Sequence, residues 1–332
     1  MENTFKFYVG LKKIAKNITG SEIITIGIRP FGFHAGNEIA LLTYPLILCD
    51  LVKKRGIKPK FTFIISINDM EPHSLKYLFF DNNDRPVYKT YLESINENNP
   101  YEYNIFPNRS SFQFTCDDKK CHNNIAEHWE EVIYMKLDLL KNSFPKVKII
   151  FVQSSKLKNN KVFKKIIIDA IKFPRKFAEL IKKYEPILDK KEFLNFAGAI
   201  CNNCGSAQGV TKIIGNKVRF CCMNCKTISC ALYENIEFWA HHLLILPARL
   251  KIFNVQIAIR GYDHYERHHI EINNDIYEKL FAEQLLLKTV ITPMVMGADG
   301  KKMSKSRGND TKLNSKLLVK LAQKCRNKYI LI

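Results

Sequence analysis

Apolar and polar positions fall into a few distinct regimes along this chain. Residues 5 to 18 repeat apolar side chains at helical spacing, which predicts an amphipathic helix. Ile23-Ile24-Thr25-Ile26-Gly27-Ile28 is instead a short β-branched run bounded by Gly and Pro, the pattern of a buried parallel strand. The turn Arg29-Pro30-Phe31-Gly32-Phe33 follows, and His34-Ala35-Gly36-Asn37 opens an apolar helical run from Glu38 through Leu51. Lys60-Phe61-Thr62-Phe63-Ile64-Ile65-Ser66 reads as a second strand reached through that helix, which makes a right-handed βαβ unit. Residues 77 to 110 are polar and rich in Asn, a loop-laden excursion. Basic amphipathic helices are expected over 130 to 198, with apolar residues at helical spacing around Ile166–Ile171 and Phe177–Ile181. Val255-Gln256-Ile257-Ala258-Ile259 is a further strand, and it runs into Gly261-Tyr262-Asp263-His264.

Composition narrows the class. A chain of 332 residues with 46% hydrophobic content buries a full core, as one large domain with an insertion or as two domains. Its 52 Lys and Arg against 32 Asp and Glu give a net charge of +20, which favours a polyanionic partner such as a nucleic acid. The abundance of Lys, Asn and Ile fits an AT-rich genome equally well. No apolar run reaches the length of a transmembrane helix, and the N-terminus lacks the apolar region of a signal peptide. Six of the ten cysteines lie between Cys201 and Cys230, which suggests metal ligation in a reducing compartment and a cytoplasmic location.

Four stretches carry chemistry. A strand, a glycine-containing turn and a helix start at 34–37 form an anion site, because free N–H groups and the helix dipole point outward there. Asp69 and Glu71 lie just beyond the second strand, where doubly wound sheets bind ligands. Cys201-Asn202-Asn203-Cys204 and Cys222-Met223-Asn224-Cys225 are paired Cys-x-x-Cys knuckles, whose four soft ligands at tetrahedral geometry select zinc. Adjacent Cys221 and nearby Cys230 leave the ligand set ambiguous. Cys116, Cys121, His122 and His128 are too poorly spaced for a tetrahedral site. Finally, Gly297 to Asn309 gathers Lys301, Lys302 and Lys305 with Ser304 and Ser306 between glycines, which suits a mobile loop closing over phosphates.

Lys302-Met303-Ser304-Lys305-Ser306 is identical to the KMSKS loop of class I aminoacyl-tRNA synthetases, and His34-Ala35-Gly36-Asn37 resembles their HIGH signature in the form ending in Asn. Three further stretches are similar to the class I lysyl enzymes: Asn68 to Lys76, Cys121-His122 with Ala126-Glu127-His128-Trp129, and Pro247-x-Arg249 with Gly261-x-Asp263-His264. The resemblance implies an α/β, Rossmann-like doubly wound parallel sheet carrying a connective insertion with a zinc knuckle. Its two halves would span 1–76 and 233–332, around a largely helical insertion over 77–198 and the knuckle over 199–232.

By the same resemblance an amino acid, lysine for this family, is activated by ATP with Mg²⁺ and passed to the acceptor end of tRNA. His34, Asn37, Lys302 and Lys305 would be catalytic. Gly27, Gly36, Gly261, Asp263, His264, Met303, Ser304 and Ser306 would hold ATP, and Arg29, Asp69, Trp239 and His264 the amino acid. Cys201, Cys204, Cys222 and Cys225 would hold a structural zinc. Lys156, Lys158, Lys161, Lys164 and Lys165 would form a positive patch able to guide tRNA, although a solvated face explains such a run as well.

The chain also departs from that family. Asn68 stands where an Asp is usual, Leu246 replaces a Trp, and Thr292-Pro293 replaces a Tyr-Glu pair. Arg29 lies beside the expected amino-acid pocket, where an inward cation would disfavour lysine. After Ser306 only 26 residues remain (332 − 306), so a compact form without the anticodon-binding region is expected. Two other functions fit the sequence. One is a stand-alone paralogue that activates a different amino acid or loads another acceptor, and the other is a non-catalytic, zinc-stabilised RNA-binding protein.

Overall fold

A computed structural model describes residues 7–29, 35–71, 76–80, 86–90, 125–184, 196–262, 264, 268–296 and 329–331. The first helix, α1 (Phe7–Lys16), buries Leu11 and Ala15 one turn apart and leaves its lysines outward. It leads to β1 (Ile23–Ile28). After the turn, α2 (Ala35–Glu38), a π turn over Ile39–Thr43 and α3 (Tyr44–Lys53) form one helical run. The π turn closes through the Tyr44 N–H on the Ile39 carbonyl, and the buried Tyr44 hydroxyl donates to the Ile291 carbonyl at 2.8 Å. Next come β2 (Thr62–Ile67) and a hairpin of β3 (Lys76–Phe80) and β4 (Pro86–Thr90).

Beyond the hairpin lie α4 (Ile125–Lys136), α5 (Asp138–Ser143), β5 (Lys148–Gln153), α6 (Lys161–Lys172) and α7 (Pro174–Lys182). The short β6 (Ala197–Ala199) precedes a three-stranded ribbon of β7 (Gly209–Ile214), β8 (Lys217–Cys222) and β9 (Ile228–Leu232). It pairs with β10 (Phe238–Ala240), which leads into α8 (His242–Phe253), β11 (Ile257–Gly261), α9 (His269–Phe281) and β12 (Lys288–Thr292). A small parallel pair, β13 (Met294–Met296) and β14 (Tyr329–Leu331), completes the described elements.

The central sheet has the order β12-β11-β1-β2-β5, with every neighbouring pair parallel. This is a doubly wound sheet: from β1 the chain builds outward through β2 and β5, then returns to place β11 on the other side. The direction therefore reverses between β1 and β11, and ligand crevices open at the carboxyl ends of such strands. β5 is a departure from expectation, because it falls within 77–198, read above as a largely helical insertion. Its burial is low at the start and complete only at Val152 and Gln153, so the edge strand lacks the continuous apolar run that marks β1 and β2.

The sheet's two faces differ in side-chain size. On one, Ile24, Ile26, Ile28, Phe63, Ile65, Ile67, Ile257 and Ile259 pack with α1, α3 and α4 into the larger core. On the other, the positions Thr25, Gly27, Ser66, Ala258 and Arg260 are small or polar, beside the larger Ile64 opposite Thr25. The second core, formed by α6 to α9 and the ribbon, covers this side without filling it.

Candidate active site

The space left by the small-residue face is a cavity of about 70 Å³, lined on the strands by Thr25, Gly27, Ala258, Ile259, Arg260 and Gly261. Asn68 closes it from the end of β2, and His242, Leu246 and Arg249 from α8, with His264 at the rim. A Cβ at Gly27 would lie 3.2 Å from Arg249 Nη2 and 3.6 Å from Asn68 Nδ2, so the missing side chain is what leaves room there.

Local sequence explains how α8 delivers these groups. His241 caps the helix, its Nδ1 accepting the Leu243 N–H at 3.2 Å, and burial keeps that ring well below the ordinary histidine pKa. Pro247 sits inside α8 and has no N–H for the Leu243 carbonyl four residues back. Asn273 of α9 supplies the missing donor at 3.0 Å, and its Oδ1 accepts from Arg260 Nη1 at 2.8 Å. One asparagine thus repairs the helix and orients a cavity arginine.

Around the rim runs a polar network. Arg29 Nε and Nη2 donate to the two oxygens of Glu71 at 2.9 and 2.5 Å, and Glu71 Oε1 also lies 2.9 Å from His242 Nδ1. Burial alone would raise the Glu71 carboxyl, but the Arg29 guanidinium and the His242 ring outweigh it and hold Glu71 below the usual carboxylate range. From His242 Nε2 the network passes to His269 Nδ1 at 3.4 Å, then to His264 Nδ1 at 3.1 Å, which lies 3.3 Å from Arg260 Nη2. Burial, followed by the charges of His242 and His264, pushes His269 far down, so it is neutral at ordinary pH.

Gly27, Gly261 and His264 all line this crevice. Gly36 and Asn37 lie in α2, where Asn37 Oδ1 is buried with no hydrogen-bond partner among the described residues. His34, Asp263, Lys302, Met303, Ser304, Lys305 and Ser306 lie outside the described residues.

Three expected amino-acid contacts sit elsewhere. Asp69 is fully buried beneath the crevice and accepts from Ser155 N at 2.9 Å and Ser155 Oγ at 2.5 Å, tying the end of β2 to that of β5. Trp239 packs on Ile200 and Ala207, its ring over Gly198, and does not line the cavity. Arg29 is neutralised by Glu71 rather than aimed inward as a free cation.

The structure also gives roles to residues the sequence left without one. His241 is the cap of α8, and His242 and His269 are two members of the network, while His268 is largely exposed.

The four knuckle thiols form a second centre. Cys201 Sγ lies 3.5 Å from Cys225 Sγ and Cys204 Sγ lies 3.6 Å from Cys222 Sγ, with all four within 4.8 Å of one another. Thiolates on one tetrahedral zinc would stand about 3.8 Å apart, so the set fits that ion. Along β8, alternation sends Cys222 inward with Val218 and Phe220, while Cys221 follows Arg219 to the other side. The positive patch at the start of α6 is partly compensated: Lys158 pairs with Glu237 at 2.7 Å and Lys165 with Asp169 at 2.8 Å, and Lys164 lies over the Tyr233 ring.

Residues 11–326 match the family described as "tRNA synthetases class I (K)". The chain belongs to the class I tRNA synthetase family. Among solved structures, a tyrosyl-tRNA synthetase from Archaeoglobus fulgidus complexed with L-tyrosine is similar, at 12% identity and TM-score 0.42, over 93% of this chain and 66% of that one. A tryptophanyl-tRNA synthetase from Campylobacter jejuni complexed with ADP and tryptophan shares 17% identity at TM-score 0.34, covering 89% and 64%. A glutamate tRNA ligase from Elizabethkingia meningosepticum shares 10% identity at TM-score 0.34, covering 87% and 52%. This synthetase-family chain therefore spans two thirds or less of the length of these structures. A search of curated protein sequences finds no match.

Proposed function

We propose that this chain is an ATP-dependent ligase that activates an amino acid as its adenylate and transfers it to tRNA. The observation that carries the reading is the crevice where the sheet reverses direction. There Gly27 and Gly261 lie at the carboxyl ends of neighbouring parallel strands, in a chain that matches a synthetase family over nearly its whole length. The amino acid's carboxylate would attack the α-phosphate of ATP and expel pyrophosphate. His34, Lys302 and Lys305 would offset the phosphate charge, and Asp263 would accept from the ribose hydroxyls. Mg²⁺ would accompany ATP. The four thiols of Cys201, Cys204, Cys222 and Cys225 would hold a structural zinc that fixes the ribbon against α6.

The family resemblance names lysine as the amino acid. A second reading, activation of a different amino acid, is favoured by one observation: the cavity lining includes the buried guanidinium of Arg249. The test is ATP–pyrophosphate exchange by the purified chain with each of the twenty amino acids, with and without total tRNA. Exchange that depends on an amino acid is the expected result, and silence under every condition would overturn the ligase reading.

A further inference from the structure

Arg249 is 3% exposed, and its Nε and Nη1 are buried with no hydrogen-bond partner among the described residues. An unpaired guanidinium held out of water is among the costliest features a fold can keep, so a site that keeps one is built for an incoming anion. The described residues around it supply none. No carboxylate lines the cavity among the described residues, and Glu71, the acid of the nearby network, is engaged by Arg29 and His242. Arg260 adds a second guanidinium to the wall, and Asn68 contributes an amide where a carboxylate would have compensated Arg249.

Size and depth restrict the anion. A cavity of about 70 Å³ has room for only a few waters, so it takes the end of a side chain and not a triphosphate. Thr25 lies three residues before the end of β1, about 10 Å below the strand's carboxyl edge, where the expected nucleotide site would be. A planar, bidentate partner for a guanidinium at that depth is a carboxylate.

We infer that this cavity selects an amino acid with a carboxylate side chain, aspartate or glutamate, with Arg249 as the specificity-determining residue. The inference rests on the ligase reading above and names its substrate class. Lysine would bring an ammonium to an uncompensated guanidinium.

Calorimetric titration of the full chain with aspartate, glutamate, asparagine, glutamine, lysine and MgATP separates the possibilities. The expected result is saturable binding of one acidic amino acid, with its amide weaker by about thirtyfold or more. Arg249→Met should abolish that preference. Should this variant not fold, Asn68→Asp serves instead: it is near-isosteric, supplies the missing counter-charge, and should weaken the acidic ligand at least about tenfold with the melting temperature retained.

Equal binding of acid and amide would trace the carboxylate contact to the α-carboxylate and overturn the proposal. Lysine binding, or no binding of either acid alone or with MgATP, would overturn it too. In those cases exchange with some other amino acid would leave the ligase reading standing. Arg249-dependent binding of an acid without pyrophosphate exchange would support the pocket and sink the ligase reading.

Discussion

Replacing Asp69 with asparagine should remove one component of the pH dependence of folding stability. The carboxylate is fully buried under the crevice, and burial raises its pKa from 3.8 to about 6, although the Ser155 hydrogen bonds favour the ionised form. A carboxyl with a folded pKa above its unfolded value binds its proton more tightly when folded. The stability it contributes is therefore fully present below the unfolded pKa and is lost as the pH rises through about 6. Two units at 1.36 kcal/mol each put the swing at about 3 kcal/mol.

Asparagine keeps the shape, since its carbonyl can accept the Ser155 N–H and its amide can donate to Ser155 Oγ. Urea unfolding of both proteins at several values between about pH 4 and pH 7 isolates the effect. His241 and His269, both lowered by burial, cost stability as the pH falls below the ordinary histidine value, and they do so equally in both proteins. Glu71 is shifted down and titrates below this window. Wild-type stability minus variant stability should therefore be greatest near pH 4 and decline by about 2–3 kcal/mol towards pH 7. A difference that is flat across the range, or that grows towards pH 7, would refute the buried-strut assignment.

The other two predictions concern a helix repair and the thiol centre. Asn273→Ala leaves the Leu243 carbonyl and Arg260 without their asparagine partner, at a cost of about 2–4 kcal/mol in chemical denaturation. In a Pro247→Ala background, residue 247 regains an N–H for Leu243, so the same change should cost about 1 kcal/mol less; strict additivity would argue against the repair. Elemental analysis of the purified chain should find one zinc per chain, lost in Cys222→Ser together with a fall in melting temperature and kept in Cys221→Ser. Retention of the metal by the Cys222 variant would show that the ligand set is wrong.

The parts legible in the sequence were those with local signatures. β1 and β2 announce themselves as unbroken apolar runs, and the Cys-x-x-Cys spacing already encodes a four-thiol cluster. The Gly261 and His264 end of β11 carries a short motif. β5 was hidden because an edge strand needs apolar side chains at few positions, and its Lys148-Ile149-Ile150-Phe151 stretch reads equally as helix. The histidine network was hidden for a different reason. Its members come from residues 71, 242, 264 and 269, and a lone histidine on a helix gives no sign of whether it faces a carboxylate or water. Only β-strand alternation held a usable clue: Thr25, Gly27, Ala258 and Arg260 sit out of phase with the large apolar residues, marking a face that cannot close-pack.

That face also decides how the cations should be interpreted. The sequence singles out Arg29 as the charge that would disfavour lysine, because it lies beside the expected amino-acid pocket. Its guanidinium is half exposed and matched by a buried carboxylate, so it presents little net field to the crevice. Arg249 is the opposite case, embedded in a motif whose resemblance to a known family gives it no electrostatic meaning by itself. It becomes informative because, among the described residues, the strand-end positions it faces are Gly27, which has no side chain, and Asn68, which has no charge. Burial lowers the Arg249 pKa to about 9, with Arg260 adding to the effect, and that still leaves the group charged at neutral pH. A persistent, desolvated positive charge is a demand on the ligand, and it bears on specificity more directly than any signature motif in the chain.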